Sequence, residues 1–225
     1  AKYRIDLATE RRLPDEDNTP LFIVDFTGSD QQGPHVVNCT YGVTASAVYN
    51  AIFQLVDNDI PHNEGAYRPI TVVAPPGTVT NVVEPAPSVG GNTETHPRLW
   101  SIVLGALSKA VPELVAASTG GTSCNFLFGG VHPDTGRFYV HYHFDGVGWG
   151  GRNDADGNNN SCVPNGNCMA TSVEIFETRY SFIEWSYRLR GDSGGPGQYR
   201  GGLGSERILE VRAPEITVSA LFDRM

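Results

Sequence analysis

Two imidazoles and a carboxylate alternate in the run His141-Tyr142-His143-Phe144-Asp145. On a β-strand, side chains two apart share a face, so His141, His143 and Asp145 point the same way. A His-x-His-x-Asp face suits zinc or manganese, provided further ligands come from elsewhere. The same pattern also arises from surface or core histidines, and no third and fourth ligand stands nearby in sequence. Two glycine-rich runs carry a different chemistry. Gly146-Val147-Gly148-Trp149-Gly150-Gly151-Arg152 is followed by Asp154-Ala155-Asp156-Gly157, and Tyr199-Arg200-Gly201-Gly202-Leu203-Gly204 comes later. Consecutive glycines such as Gly150-Gly151 and Gly201-Gly202 let backbone amides converge on an anion, and Arg152 or Arg200 adds a bidentate clamp. The alternative is a wide hairpin with a structural arginine.

Gly191-Asp192-Ser193-Gly194-Gly195-Pro196 matches the nucleophile segment of trypsin-like serine proteases. A triad also needs a histidine base held by a buried carboxylate. None of the six histidines lies in an Ala-Ala-His-Cys block, and the segment continues into glycines where those proteases have a strand. The spacing therefore argues against a protease. No Gly-x-x-x-x-Gly-Lys-Ser/Thr loop or dinucleotide fingerprint occurs either, so any ATP chemistry must come from a partner. Asp25, Asn38, Asn63, Arg68 and Glu84 lie in turns and extended stretches, where sites are often built. Turn-forming side chains and solvated charges account for them equally well.

The elements that must position these residues divide along the chain. Leu21–Phe26 reads as a buried strand, Gly42–Val56 as a helix with Val48, Ile52, Leu55 and Val56 on one face, and 69–73 as a short strand. A second helix is expected over 97–110, with Pro97 in its first turn and Pro112 past its end. Residues 79–98 look extended and irregular. From Phe126 the chain turns β-rich, with strands expected over 137–144, 182–189, 207–212 and 216–222. The fold class is α+β: mixed and β-rich, with two core helices in the first half and a sheet-dominated second half carrying long glycine-rich loops. The chain forms one region over 1–225, with a possible subdivision into 1–120 and 121–225.

The 225 residues suffice for a sizeable core. A formal charge of −9 argues against nucleic-acid or anionic-membrane partners, which require a basic footprint. No apolar run approaches the roughly 18–20 residues of a membrane span. Ala1–Arg12 is polar and charged, unlike a signal peptide. Four cysteines without Cys-x-x-Cys suit reduced thiols in a cytoplasm. Cys162 and Cys168 are close enough in sequence to form a disulfide or share a metal.

Six blocks, in order, resemble one family. They are Asp25-Phe26-Thr27-Gly28-Ser29 with Gly33 and Asn38; Ile60–Ile70, which includes Asn63 and Arg68; Pro75-Pro76-Gly77-Thr78 with Glu84–Pro87; Gly148–Arg152 with Asp156-Gly157-Asn158; Val173–Tyr180; and Asp192–Gly204. This set is similar to the hydantoinase B/5-oxoprolinase family, whose relatives include the large subunits of acetone and acetophenone carboxylases. The resemblance covers about residues 21–210 and matches the carboxy-terminal half of the family's usual length. His143 departs from it, standing where many relatives carry glutamate.

The resemblance implies a B-type subunit of an ATP-dependent cyclic-amide hydrolase in a cytoplasmic hetero-oligomer. A hydantoinase A-like partner would bind ATP and phosphorylate an amide oxygen, and water would then open the ring C–N bond. A ketone carboxylase subunit is the alternative, and a non-catalytic scaffold half of such a complex is a third. The amino-terminal hydantoinase B half would be a further partner, and a divalent metal (Mn, Zn or Mg) a possible cofactor. The candidate catalytic residues are Asp25, Asn38, Asn63, Arg68, Arg152 and Asp156. Gly150, Gly151, Arg200, Gly201 and Gly202 are candidates for holding substrate or phosphate, and His141, His143 and Asp145 for holding metal.

Overall fold

A computed structural model describes residues 6–9, 22–56 and 59–222, the first of these for the backbone only. The amino-terminal polar stretch, Leu21 of the first expected strand and Asn58 of the following loop fall wholly or largely outside these residues. The chain is α+β and divides into two compact units, 1–115 and 116–225.

The first unit joins a three-stranded sheet to two helices. Strand β1 (Asp6–Thr9) pairs antiparallel with β2 (Phe22–Asp25), which pairs in parallel with β3 (Ile70–Val73). Helix α1 (Tyr41–Phe53) buries Thr44, Val48, Ala51 and Ile52, a set spaced three and four apart. Its small Ala47 and Ala51 admit close packing. A four-residue helix, α2 (Glu64–Tyr67), precedes β3. Helix α3 (His96–Leu107) buries Leu99, Val103 and Leu107 along one face, with Pro97 in its first turn as expected. These helices and Val24, Phe26 and Val72 of the sheet region form one apolar core.

Residues 91–95 are not extended, as the sequence suggested, but form a π-helical turn running into α3. The turn admits the backbone of Asn38, whose carbonyl would lie 2.4 Å from a Cβ on Gly91. Only glycine allows that approach. Thr95 also donates its hydroxyl to the carbonyl of Val37.

The second unit has two small sheets. Strand β4 (Asn125–Val131) is flanked antiparallel by β5 (Phe138–Phe144) and β8 (Ile216–Leu221). Strands β6 (Phe182–Leu189) and β7 (Ser205–Val211) form an antiparallel pair with an irregularity between Glu184 and Ser186. Helix α4 (Val173–Arg179), unforeseen from sequence, leads into β6. The buried core here is small and aromatic: Phe128, Phe176 and Phe182, with Phe126, Tyr139 and Tyr180 packed around them.

Candidate functional site

In the second unit the two glycine-rich runs meet and wall a cleft of about 520 Å³. Trp149, Arg152, Gln198 and Tyr199 supply its larger side chains. The walls are main chain laid against main chain. Gly202 N–H donates to Trp149 O at 2.7 Å, Trp149 N–H to Asn158 O at 3.0 Å, and Gly157 N–H to Arg200 O at 2.7 Å. A Cβ on Gly202 would fall 1.9 Å from Asn158 O, and one on Gly148 would fall 2.0 Å from Gly202 O. No side chain fits there, so the glycines serve close approach.

This bears on the anion-binding expectation. The amides of Gly150, Gly201 and Gly202 donate to Ser118, Gly195 and Trp149 carbonyls, and the Gly151 carbonyl accepts from Ala117. The amides of Gly150, Gly201 and Gly202 are thus committed to the scaffold, so a ligand's negative charge would meet other groups there. Arg152 lines the cleft and is half-exposed, beside Asp154 at 3.4 Å. Asp156 accepts from the Arg200 amide at 2.7 Å and stands 3.5 Å from its guanidinium, fixing one glycine run against the other. The Trp149 indole N–H is buried with no acceptor among the described residues. A donor of that kind costs free energy unless a ligand or water takes it up.

The protease-like segment contributes architecture. The Ser193 hydroxyl donates to Arg190 O at 2.8 Å and accepts from the Gly204 amide at 2.9 Å. Both ends are used in closing the loop before β7, and no imidazole is among these contacts.

The His-x-His-x-Asp face is real, but another chain segment supplies its cation. Arg207, from β7, donates from Nη1 to His143 Nε2 at 2.9 Å. It also stands 3.4 Å from Asp145 and 3.5 Å from Glu184, and its guanidinium lies 4.1 Å over the Tyr187 ring. All four charged or imidazole side chains are close to nine-tenths buried. A guanidinium cannot accept, so His143 Nε2 accepts and its Nδ1 carries the hydrogen, which has no partner among the described residues. Burial pushes the Asp145 carboxyl up, but the facing His143 and the Arg207 charge outweigh it, and the net shift is downward. With Nε2 accepting from Arg207, His143 has no hydrogen to give the carboxylate 3.7 Å away, so the Arg207 charge is the larger cause.

His141 packs among Phe176, Tyr180 and Phe128. Burial first, then the neighbouring His143 and Arg207, lower its pKa to about 4. Of the three residues expected to hold a metal, His143 and Asp145 therefore face the Arg207 guanidinium, while His141 faces aromatic rings. Among the described residues, no group of three or more His, Cys, Asp and Glu is placed to hold a metal. The signal that could have exposed Arg207 is an arginine flanked by β-strand residues in Ser205–Val211, matched by Glu184 within the Phe182–Leu189 run.

The remaining candidates lie in the first unit. Asp25 accepts from the Thr27 amide at 2.8 Å, a turn contact. Asn38 is fully buried: its oxygen accepts from Gly33, and its Nδ2 reaches the carbonyls of Gly33, His35 and Pro87 at 2.7–2.9 Å. Asn63 caps α2, accepting from the Ala66 amide at 3.3 Å. Arg68 is exposed at the end of that helix. The turn-forming reading thus describes Asp25, Asn38 and Asn63 well.

The α+β frame is one that solved structures share. The chain belongs to the hydantoinase B/oxoprolinase family, whose model matches residues 8–225. The caprolactamase subunit beta of Pseudomonas jessenii is 34% identical over 195 residues, 84% of this chain and 34% of that protein. The crystal structure of the ATP-dependent caprolactamase from Pseudomonas jessenii is similar at a TM-score of 0.70 and 32% identity, over 84% of this chain and 33% of its own. The nucleotide-free structure of an acetone carboxylase superposes at a TM-score of 0.82 over 98% of this chain and 29% of its own, with 22% identity, a likeness of fold. The chain spans 16–35% of the length of the first curated relatives it matches. Among the described residues, no helix is long and apolar enough to cross a membrane.

Proposed function

We propose that this chain is part of a B-type component of an ATP-dependent cyclic-amide hydrolase. The observation that carries the reading is the 32–34% identity to proteins named for caprolactam, against 22% to acetone carboxylase. In this reading a separate A-type partner binds ATP and phosphorylates the amide oxygen. Water then adds to the activated carbon, the ring C–N bond breaks so that the nitrogen leaves as an amine, and a second water splits the resulting acyl phosphate into carboxylate and phosphate. The cleft of the second unit suits a small planar amide: its walls are main chain, Trp149 offers an unused N–H, and Arg152 stands at hand for negative charge. Arg200, positioned by Asp156, supports the same field. This account calls on no metal; Arg207 stands against His143 and Asp145, two of the three residues expected to hold one.

The carboxylase reading draws on one observation, the fold likeness over 98% of the chain. One experiment separates the two. The full complex, containing the A-type partner and the rest of the B-type component, is assayed for ATP turnover with lactams and hydantoins, and with ketones plus bicarbonate. Stimulation by a cyclic amide without bicarbonate is expected, together with at least about a tenfold fall in turnover for Arg152→Ala while the complex still assembles. Stimulation by ketone alone, and only with bicarbonate, overturns the proposal. Unchanged turnover in Arg152→Ala would leave this chain a scaffold.

A further inference from the structure

We propose that Cys162 and Cys168 form a dithiol that a glutathione-type disulfide converts to an intramolecular disulfide, fixing one wall of a second cavity. The loop between them folds back on itself: Gly166 N–H donates to Val163 O at 2.9 Å. Both sulfurs sit beside Gly166, since a Cβ there would lie 2.2 Å from Cys162 Sγ and 3.4 Å from Cys168 Sγ. A side chain at 166 would separate them, so glycine keeps the approach open.

The ends of this loop are unequal. On one side Ser161 is bridged to Val147 by two backbone hydrogen bonds of 2.8 and 2.9 Å, and Val163 is buried. On the other, Cys168, Met169, Ala170 and Thr171 line a cavity of about 240 Å³, together with His143 and Glu184. Met169 is 94% exposed, so this side is held by little. A bond between the sulfurs would tie the loosely held wall to the anchored end.

The chemistry follows from exposure. Cys168 is exposed, and Cys162 is half-buried. Burial and the adjacent thiol push the Cys162 thiol up, which leaves Cys168 as the first nucleophile. Cys168 gives up its proton and attacks one sulfur of glutathione disulfide, expelling one glutathione thiolate. Cys162 then loses its proton and attacks Cys168 Sγ, expelling the second. Two protein thiols are oxidised, one glutathione disulfide is reduced to two thiols, and the two protons end on glutathione. Cys39 is fully buried with its thiol raised to about 11, and serves as an internal reference that should not react.

Both cysteines fall in one tryptic fragment, 153–179, which has no internal Lys or Arg. The full chain is incubated with glutathione disulfide, denatured, alkylated and digested. The expected result is a 153–179 fragment lighter by two hydrogens that has lost both alkylation sites, with Cys39 still alkylated. Cys162→Ser should instead accumulate a stable glutathione adduct on Cys168, and Cys168→Ser should leave Cys162 alkylatable. Amide exchange over 168–171 should slow on oxidation. A persistent adduct on Cys168 of the unsubstituted chain, or two free thiols after incubation, overturns the pairing. Unchanged exchange over 168–171 overturns the fixing of the cavity wall.

Discussion

The two units of this chain solve the problem of a stable interior in different materials. The first packs aliphatic side chains of two helices onto a sheet: Val48, Ala51, Leu99, Val103 and Leu104 are all nearly or fully buried. Among its described residues the second has a core cluster of three buried aromatic rings, and it fixes its longest loops by pressing backbone on backbone at Gly148, Gly157 and Gly202. A high glycine content is usually read as looseness. Here it marks the densest contacts of the second unit, where a side chain would hold two main-chain segments apart.

Breaking that contrast calls for substitutions of opposite kind. The largest effect is expected from Gly202→Ala, which sets a methyl 1.9 Å from a carbonyl oxygen that cannot swing aside. The cost should exceed the ~1–3 kcal/mol of ordinary overpacking. Loss of the cooperative unfolding transition of the second unit would show it, with rapid amide exchange over 146–160. Gly195→Ala, with nothing within 4 Å of the added carbon, is the control and should unfold like the parent. A mild Gly202→Ala would sink the idea that these glycines are packing residues.

Next in size is Leu99→Ala in the first unit, which empties a fully buried site on α3. A loss of about 2–5 kcal/mol is expected in denaturant unfolding. Amide protection should fall in 41–56 and 96–107. A loss under about 1 kcal/mol would mean that the helix pair is not the unit's main support.

The smallest effect is one of pH. His96 is buried at the start of α3, its Nε2 accepts from the Asn50 amide at 3.3 Å, and its Nδ1 lacks a partner among the described residues. Burial lowers its pKa to about 4. The unfolded chain therefore binds a proton here at higher pH than the folded one. Stability is fully present above about pH 6.5 and falls as pH drops towards 4, by at most about 3 kcal/mol. Urea titrations at pH 7 and pH 4.5 should show the loss, and His96→Gln should flatten this part of the profile. An unchanged slope in His96→Gln would assign the acid sensitivity to other groups.

Sequence patterning made the first unit readable. The three- and four-residue spacing in α1 and α3 and the prolines around α3 are local signals, and the structure follows them to within a few residues. The short helix α4 was hidden because seven residues span barely two turns, and Val173 and Ile175 favour strands equally. The glycine runs were visible as candidates, but their meaning depended on which carbonyls oppose them, and Gly202 faces those of Trp149 and Asn158 from the other run. The His-x-His-x-Asp face was placed correctly, while its occupant was not legible. Arg207 is separated from His143 by 64 positions, and only strand packing brings them together. Local periodicity reports on faces, and says little about what fills the space in front of them.

The cleft walled by main chain has a consequence for how such a pocket could change its preferences. A carbonyl or an amide cannot be exchanged by a codon, so the parts of this surface made by close-packed glycines are closed to variation in shape or polarity. Adaptation to a larger ring or a different charge has to pass through the few positions that carry side chains, Trp149, Arg152, Gln198 and Tyr199 above all. A library confined to those four positions samples much of the accessible variation, while one spread over Gly148, Gly150, Gly151 and Gly202 returns mainly unfolded protein.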